Sequence, residues 1–327
     1  MPNINIDDTY ILGETGAQVD KVTGLFTKDE GTTSGEKAFA QLNIGTAGSN
    51  RNLLDNPWFT VNQRGFASNA GTNNVRGVDR WLINSGGGTG GATTLNADGT
   101  MTLTAGASYQ SFQQTIEIVP SVLVGKTMTI SVLLQDGTIE SKSFVVPAQT
   151  SSLQEIGRLS SVKYRVFVYL SATGTNTIIP QIQVYAGNTI TVRAIKLELG
   201  SVSTLANDAP PEYAEELMKC NFYDIMLKTS AAYGYLGYGI ADSATSATIL
   251  IPLPNNMRDA TPTITTSGTV AVKGGTSGTH TMTGITFKLR VTGGVLVTVT
   301  TTGLTTGEFC LLQLNSASSY INLSADL

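Results

Sequence analysis

The sequence predicts an all-β protein built of two β-sandwiches, and three observations carry the prediction. Apolar and polar residues alternate with a period of two through much of residues 51–200 and again through 229–327. Turn chemistry divides these runs at short intervals, as at Asp98-Gly99, Asp136-Gly137 and Gly293-Gly294, the punctuation of antiparallel hairpins. Only 13% of the 327 residues are charged and 35 are Gly, whereas an average soluble protein is about 25% charged. Thr and Ser take many of the polar positions, which suits a neutral β surface.

The chain divides into four parts. Residues 1–50 hold few apolar residues and one helix signal: Thr33-Ser34-Gly35-Glu36 has capping-box spacing, and Ala38, Phe39 and Leu42 would line one face of a short helix. A helix this short needs a partner, so Phe39 and Leu42 are expected to serve attachment or oligomerisation. Residues 51–200 carry the first sandwich, with strands expected at 101–104, 127–133, 143–146, 163–170 and 189–195. Residues 201–228 form a linker whose helix is predicted over 208–228: Pro210 and Pro211 suit its first turn, and Glu212, Glu215 and Glu216 its positive end. Two adjacent apolar stripes, Tyr213/Leu217/Cys220/Leu227 and Ala214/Met218/Phe222/Ile225, predict a helix covered on most sides, with Leu217 and Phe222 at a domain or subunit contact. Residues 229–327 carry a smaller second sandwich, with strands expected at 247–253, 261–265, 285–291, 295–299 and 308–314.

Composition and spacing weigh against several functions. A net charge of -4 with no Lys/Arg cluster lacks the footprint of a nucleic-acid binder. Residues 1–20 do not read as a secretory signal, and no apolar run approaches the roughly 20 residues of a membrane span. Cys220 and Cys310, far apart in sequence, are expected to be free, buried thiols of a chain made in a cytoplasm. His280 is the sole histidine, and as a base it would need a nucleophile and an orienting acid. Ligand count and spacing give no zinc site, and no Gly-rich phosphate loop follows a strand. A depolymerase would need only two carboxylates, but Glu117, Asp136, Glu140, Glu155 and Glu198 are scattered and the repeat of a β-helix is missing. The expectation is no enzyme, no metal and no cofactor.

Three motifs carry a resemblance. Asn52-Leu53-Leu54-Asp55-Asn56-Pro57-Trp58-Phe59, then Val61-Asn62-Gln63-Arg64-Gly65, then Val78-Asp79-Arg80-Trp81 resemble the opening of a carbohydrate-module-like jelly roll in bacteriophage tail-fibre and minor structural proteins. Ile195-Lys196-Leu197-Glu198-Leu199-Gly200 is similar to its closing strand, residues 215–223 to the helix that follows, and Pro254-Asn255-Asn256-Met257-Arg258 with Thr261-Pro262-Thr263-Ile264 to the opening of a terminal sandwich. Residues 38–45 are similar to fibre-shaft repeats. The likeness runs over about residues 38–265 and departs at Asn221, where a longer polar or basic residue is common. It implies a virion subunit assembled in the host bacterial cytoplasm: a homotrimeric fibre docked to other virion proteins through residues 1–50 and binding host-surface glycan. A head fibre or capsid decoration protein without a receptor is the alternative, and a polysaccharide depolymerase a third.

Five aromatic residues are the candidate ligand contacts. Trp58 and Trp81 present faces able to stack on a pyranose ring, and each also suits the core of its motif, with Asp79 and Arg80 able to pair beside Trp81. Tyr233, Tyr235 and Tyr238 read as a half-buried strand, the odd spacing of 233 and 235 placing both rings on one face. Arg258 reads as an ion-pair residue.

Overall fold

The computed structural model describes residues 50–86, 90–117, 120–170 and 176–325. The expected N-terminal helix, with Phe39 and Leu42, lies outside them. The protein is all-β, as its alternation predicts.

The first sandwich comprises β1 (Ser68–Ala70), β2 (Val75–Arg76), β3 (Leu82–Ser85), β4 (Ala92–Leu95), β5 (Met101–Thr104), β6 (Gln110–Gln113), β7 (Ile116–Glu117), β8 (Thr127–Leu134), β9 (Ile139–Val145), β10 (Gln154–Arg158), β11 (Val162–Tyr169), β12 (Thr177–Val184) and β13 (Thr189–Leu199). A one-turn helix, α1 (Pro120–Leu123), precedes β8. Successive hairpins join alternately a six-stranded sheet, β1-β4-β5-β13-β8-β9, and an opposing sheet, β10-β11-β12-β6-β3-β2 with β7 also on β12. This is jelly-roll winding. Alternation sends Val162, Tyr164, Val166 and Val168 of β11 into the core with Met101, Leu103, Phe112 and Ile195. The predicted Asp-Gly turns close two of the hairpins: Gly99 and Gly137 take φ of 81° and 90°, and Asp98 and Asp136 accept from the amides of Thr100 and Thr138. Glycine enters that left-handed region without a Cβ clash.

Pro180 lies in β12, an interior strand, where a missing N–H would ordinarily break the ladder. Here β12 pairs with β6 through Gln181 and with β7 through Ile178, so Pro180 falls at the gap between them. Its carbonyl accepts from the Gln114 amide on that side, so the absent N–H faces the gap as well.

The linker is strapped over the outer face of the six-stranded sheet. A register shift between Val192 and Ala194 turns Lys196 and Glu198 to that face, where both are fully buried. Lys196 Nζ donates to Thr204 Oγ1 (2.9 Å) and Asp208 Oδ1 (2.7 Å), and Glu198 accepts from the Thr204 amide (2.7 Å) and hydroxyl. Paired and hydrogen-bonded, these charges are tolerated out of water.

The predicted helix is shorter than expected: α2 spans Tyr213–Asn221. Nor is it covered on most sides, for Tyr213, Ala214 and Met218 are exposed. Residues 224–227, read as its last turn, form the strand β14 (Asp224–Leu227), which ladders against β23 (Tyr320–Ser324). A long-range ladder here outweighs the local helical period.

The second sandwich adds β15 (Gly234–Ser243), β16 (Ser246–Pro252), β17 (Thr263–Ser267), β18 (Val270–Gly274), β19 (Gly278–Thr281), β20 (Gly284–Val291), β21 (Gly294–Thr300) and β22 (Phe309–Leu314). A three-stranded sheet, β14-β23-β17, faces a seven-stranded one, β19-β18-β22-β15-β16-β21-β20. Ile225, Ile249, Ile251, Val272, Val297, Leu312, Ile321 and Leu323 fill the space between them. Cys220 and Cys310 are free and buried. Among the described residues no helix is long and apolar enough to cross a membrane.

Candidate functional site

The motif residues at 52–65 and 78–81 form the joint between the two sandwiches. Asn56, buried at φ 49°, donates through Nδ2 to the carbonyls of Val61 (2.8 Å) and Asp79 (2.9 Å), while its amide donates to Glu216 Oε1 on α2 (2.5 Å). Asp79 accepts from the Gln63 amide (3.0 Å) and side chain (2.7 Å), and Gln63 Nε2 also donates to the carbonyl of Asp224 (3.0 Å). Arg64 Nη2 meets Asp224 Oδ1 at 2.5 Å. Arg80 pairs with Asp55 (3.1 Å) and lays its guanidinium over the Tyr223 ring at 3.3 Å. Arg258, the expected ion-pair residue, meets Glu117 at 2.6 Å. The signature is thus a desolvated polar clamp, costly to leave half-made.

The five candidate aromatics go to four places. Trp81 is 2% exposed, packs against Phe59 and Phe112 with ring centroids 5.7 and 5.8 Å away, and donates its indole N–H to the Asn56 carbonyl at 2.9 Å. It is a core residue, and its face is closed to a ligand. Trp58 is half-buried and lines a cleft of about 370 Å³ between the Arg51–Trp58 segment, the linker and α2. Tyr235 and Tyr238 share the outer face of the seven-stranded sheet, because the register of β15 shifts between Tyr235 and Gly237. Tyr233 precedes the strand at φ 65°, so simple alternation does not pair it with Tyr235. Of the expected contact residues, Leu217 on α2 is half-buried, and Phe222, just past the end of α2, is exposed and packed edge-on against Tyr223.

That outer face is apolar across five of its seven strands and turns polar at Lys273 of β18 and Thr279 of β19. Directly paired residues project to the same side, and the pairs Leu311–Tyr238, Tyr238–Leu250, Leu250–Leu296 and Leu296–Leu289 make one row over five strands. Phe309 and Ile240 pair in the next row. Tyr235, Tyr238, Ile240, Leu289 and Phe309 are 48% to 57% exposed. Lys273 reaches the Tyr235 hydroxyl at 3.2 Å and Lys288 the Thr248 hydroxyl at 2.7 Å. The sequence reading took only the tyrosines from this face. The overlooked signal was consecutive apolar residues at Ile249-Leu250-Ile251, Val295-Leu296-Val297 and Cys310-Leu311-Leu312, the pattern of strands covered on both faces.

His280 has a serine and a carboxylate nearby, which its sequence position could not place, but they are wired differently from a triad. Its Nε2 lies 3.0 Å from Ser277 Oγ, but that hydroxyl donates to Glu308. The hydroxyl of Ser277 and the amides of Thr305, Thr276 and Ser277 hold the Glu308 carboxyl well below the usual carboxylate range. A nucleophile needs its base on the hydroxyl proton and the acid on the far side of the histidine, so this cluster pins the β18–β19 hairpin instead. Among the carboxylates considered for glycoside cleavage, Glu117, Glu155 and Glu198 are paired or buried in bonds and Asp136 caps its turn. Partial burial, then the charge of Asp136, lifts the Glu140 carboxyl above its ordinary value. Among the described residues no three His, Cys, Asp or Glu side chains gather as metal ligands.

No protein-family model matches the chain, and neither a curated protein nor a solved structure is significantly similar to it.

Proposed function

We propose that the chain is a non-enzymatic subunit of a bacteriophage fibre, made in the host cytoplasm and incorporated in the virion, which associates as a homotrimer and binds host-surface glycan. The observation that carries this reading is the continuous apolar row on the open side of the second sandwich. An exposed patch of this kind marks a contact surface, and its mixture of aliphatic residues and tyrosine, with few charges, suits a second copy of the chain. Three linked subunits multiply a weak glycan affinity without a deep pocket, and residues 1–50 are left to grip other virion proteins. Light scattering of the purified chain should give three times 34.4 kDa, and Ile240→Lys with Leu289→Lys, both at exposed positions, should dissociate it. A stable wild-type monomer overturns the trimer.

The architectural role of the motif residues favours a second reading, a head fibre or decoration protein with no receptor. Whole-cell pulldown separates the two: the receptor binder is retained by host cells and the spacer is not.

A further inference from the structure

We infer that the cleft between the Arg51–Trp58 segment and α2 is a saccharide site that holds a neutral hexopyranose unit against the face of Trp58. The inference rests on the reading of the chain as a glycan-binding subunit, and adds to it a place and a class of sugar.

Trp58 differs from Trp81 in the way that matters. Its side chain is half-buried, and among the described residues its indole N–H has no acceptor and its ring no aromatic partner, whereas Trp81 has both. A flat aromatic wall with a free donor packs on the C–H face of a pyranose and bonds a hydroxyl at its edge. The volume of about 370 Å³ lies near the bottom of the roughly 300–1,000 Å³ of small-ligand sites, which fits a sugar unit rather than a long oligosaccharide.

Charge selects the class of sugar. The carboxylates at the cleft outnumber the cations beside them: Asp55 pairs with Arg80 (3.1 Å) and Asp208 with Lys196 (2.7 Å), but Glu215 and Glu216 share the single Lys219 (3.2 and 3.4 Å). Each still has lone pairs to accept from hydroxyls. Arg51 is exposed with no ion pair among the described residues, and supplies a donor at the mouth. A phosphate or uronate would be brought up to these carboxylates, so a neutral ring is preferred. The walls are fixed in advance, since Asn52 bonds the backbone of Ile195 and Leu197 and the Asn56 amide bonds Glu216. Little ordering remains to oppose binding.

The test is a titration of the intact chain with methyl glycosides of neutral hexoses and with methyl glucuronide, followed by tryptophan fluorescence and ligand-observed NMR. At least one neutral hexoside should shift the Trp58 emission. Trp58→Ala should abolish the NMR contact and Trp58→Phe, which keeps a ring and guards against a folding artefact, should retain it. Arg51→Ala should weaken binding about tenfold, the loss of one charge-assisted hydrogen bond, and the glucuronide should bind at least that much more weakly than the best neutral sugar. No response to any neutral hexoside, an unchanged response in Trp58→Ala, or tighter binding of the glucuronide overturns the site. Host-cell binding that survives Trp58→Ala also overturns it while leaving the fibre reading intact, whereas failure of the wild-type chain to bind host cells counts against the receptor role itself.

Discussion

Removing Arg64 tests whether the motif residues act as a clamp. Arg64 Nη2 lies 2.5 Å from Asp224 Oδ1, with the two side chains 17% and 1% exposed. Arg64→Ala therefore leaves a carboxylate facing protein rather than water. Breaking a buried pair from one side costs about 3–5 kcal/mol. The partial exposure of Arg64 and the surviving bond from Asn322 Nδ2 to Asp224 (2.8 Å) put this case at the lower end, about 3 kcal/mol, a large share of the roughly 5–15 kcal/mol that holds a domain together. Urea unfolding at neutral pH, followed by the emission of Trp81 and by far-ultraviolet circular dichroism, measures it as a lower midpoint at unchanged slope. Adding Asp224→Asn removes the charge that Arg64 matched and should restore about 1 kcal/mol or more, a non-additivity that only contacting residues show. A loss below about 0.5 kcal/mol, the scale of an exposed ion pair, or strict additivity of the two substitutions, refutes the clamp.

Two further outcomes follow from the same geometry. Trp81→Ala empties a core site between Phe59 and Phe112 and should cost about 3–5 kcal/mol; thermal unfolding checks it, and a near-neutral result would contradict the burial. The Glu155 carboxyl is held down at about 2 by Arg158 and then Lys163, against 4.5 for a free glutamate. A folded-state pKa lowered in this way contributes stability that is present above the unfolded value and is lost as pH falls through the folded one. Wild type should therefore lose its advantage over Glu155→Gln between about pH 4.5 and pH 2, which paired melting curves at low salt would reveal. Parallel curves over that range would sink the assignment.

Local chemistry made the fold class and ten of the 23 described strands legible. Strands such as Thr127–Leu134 and Val162–Tyr169 carry their own alternation, and Asp98-Gly99 and Asp136-Gly137 specify tight turns with no help from distant residues. The boundary of α2 was not legible, because Ile225 and Leu227 fit a helical stripe as well as a strand and only the partner β23 decides between them. β12 was missed because Pro180 argues against an interior strand, and the gap that excuses it exists only once β6 and β7 have docked. The candidate site was less legible still. Trp58 and Trp81 look alike in their motifs, and the difference between an open ring and a closed one arises from Phe59, Phe112 and the Asn56 carbonyl converging on Trp81.

By itself, then, the sequence determined the all-β class, the hairpin turns at Asp98-Gly99, Asp136-Gly137 and Gly293-Gly294, two sandwiches with a helix between them, and a neutral surface. Each of these depends on residues close together in the chain, where period and turn chemistry act directly. Tertiary structure decided that the motif of residues 52–65 and 78–81 is a joint, that His280 is wired to pin a hairpin, that Trp58 faces a cleft, and that a row from Leu311 to Leu289 lies on one open face. Those depend on which distant groups share a small desolvated space. Burial strengthens a hydrogen bond or ion pair only after the chain has brought its members together, and neither spacing nor composition records that meeting.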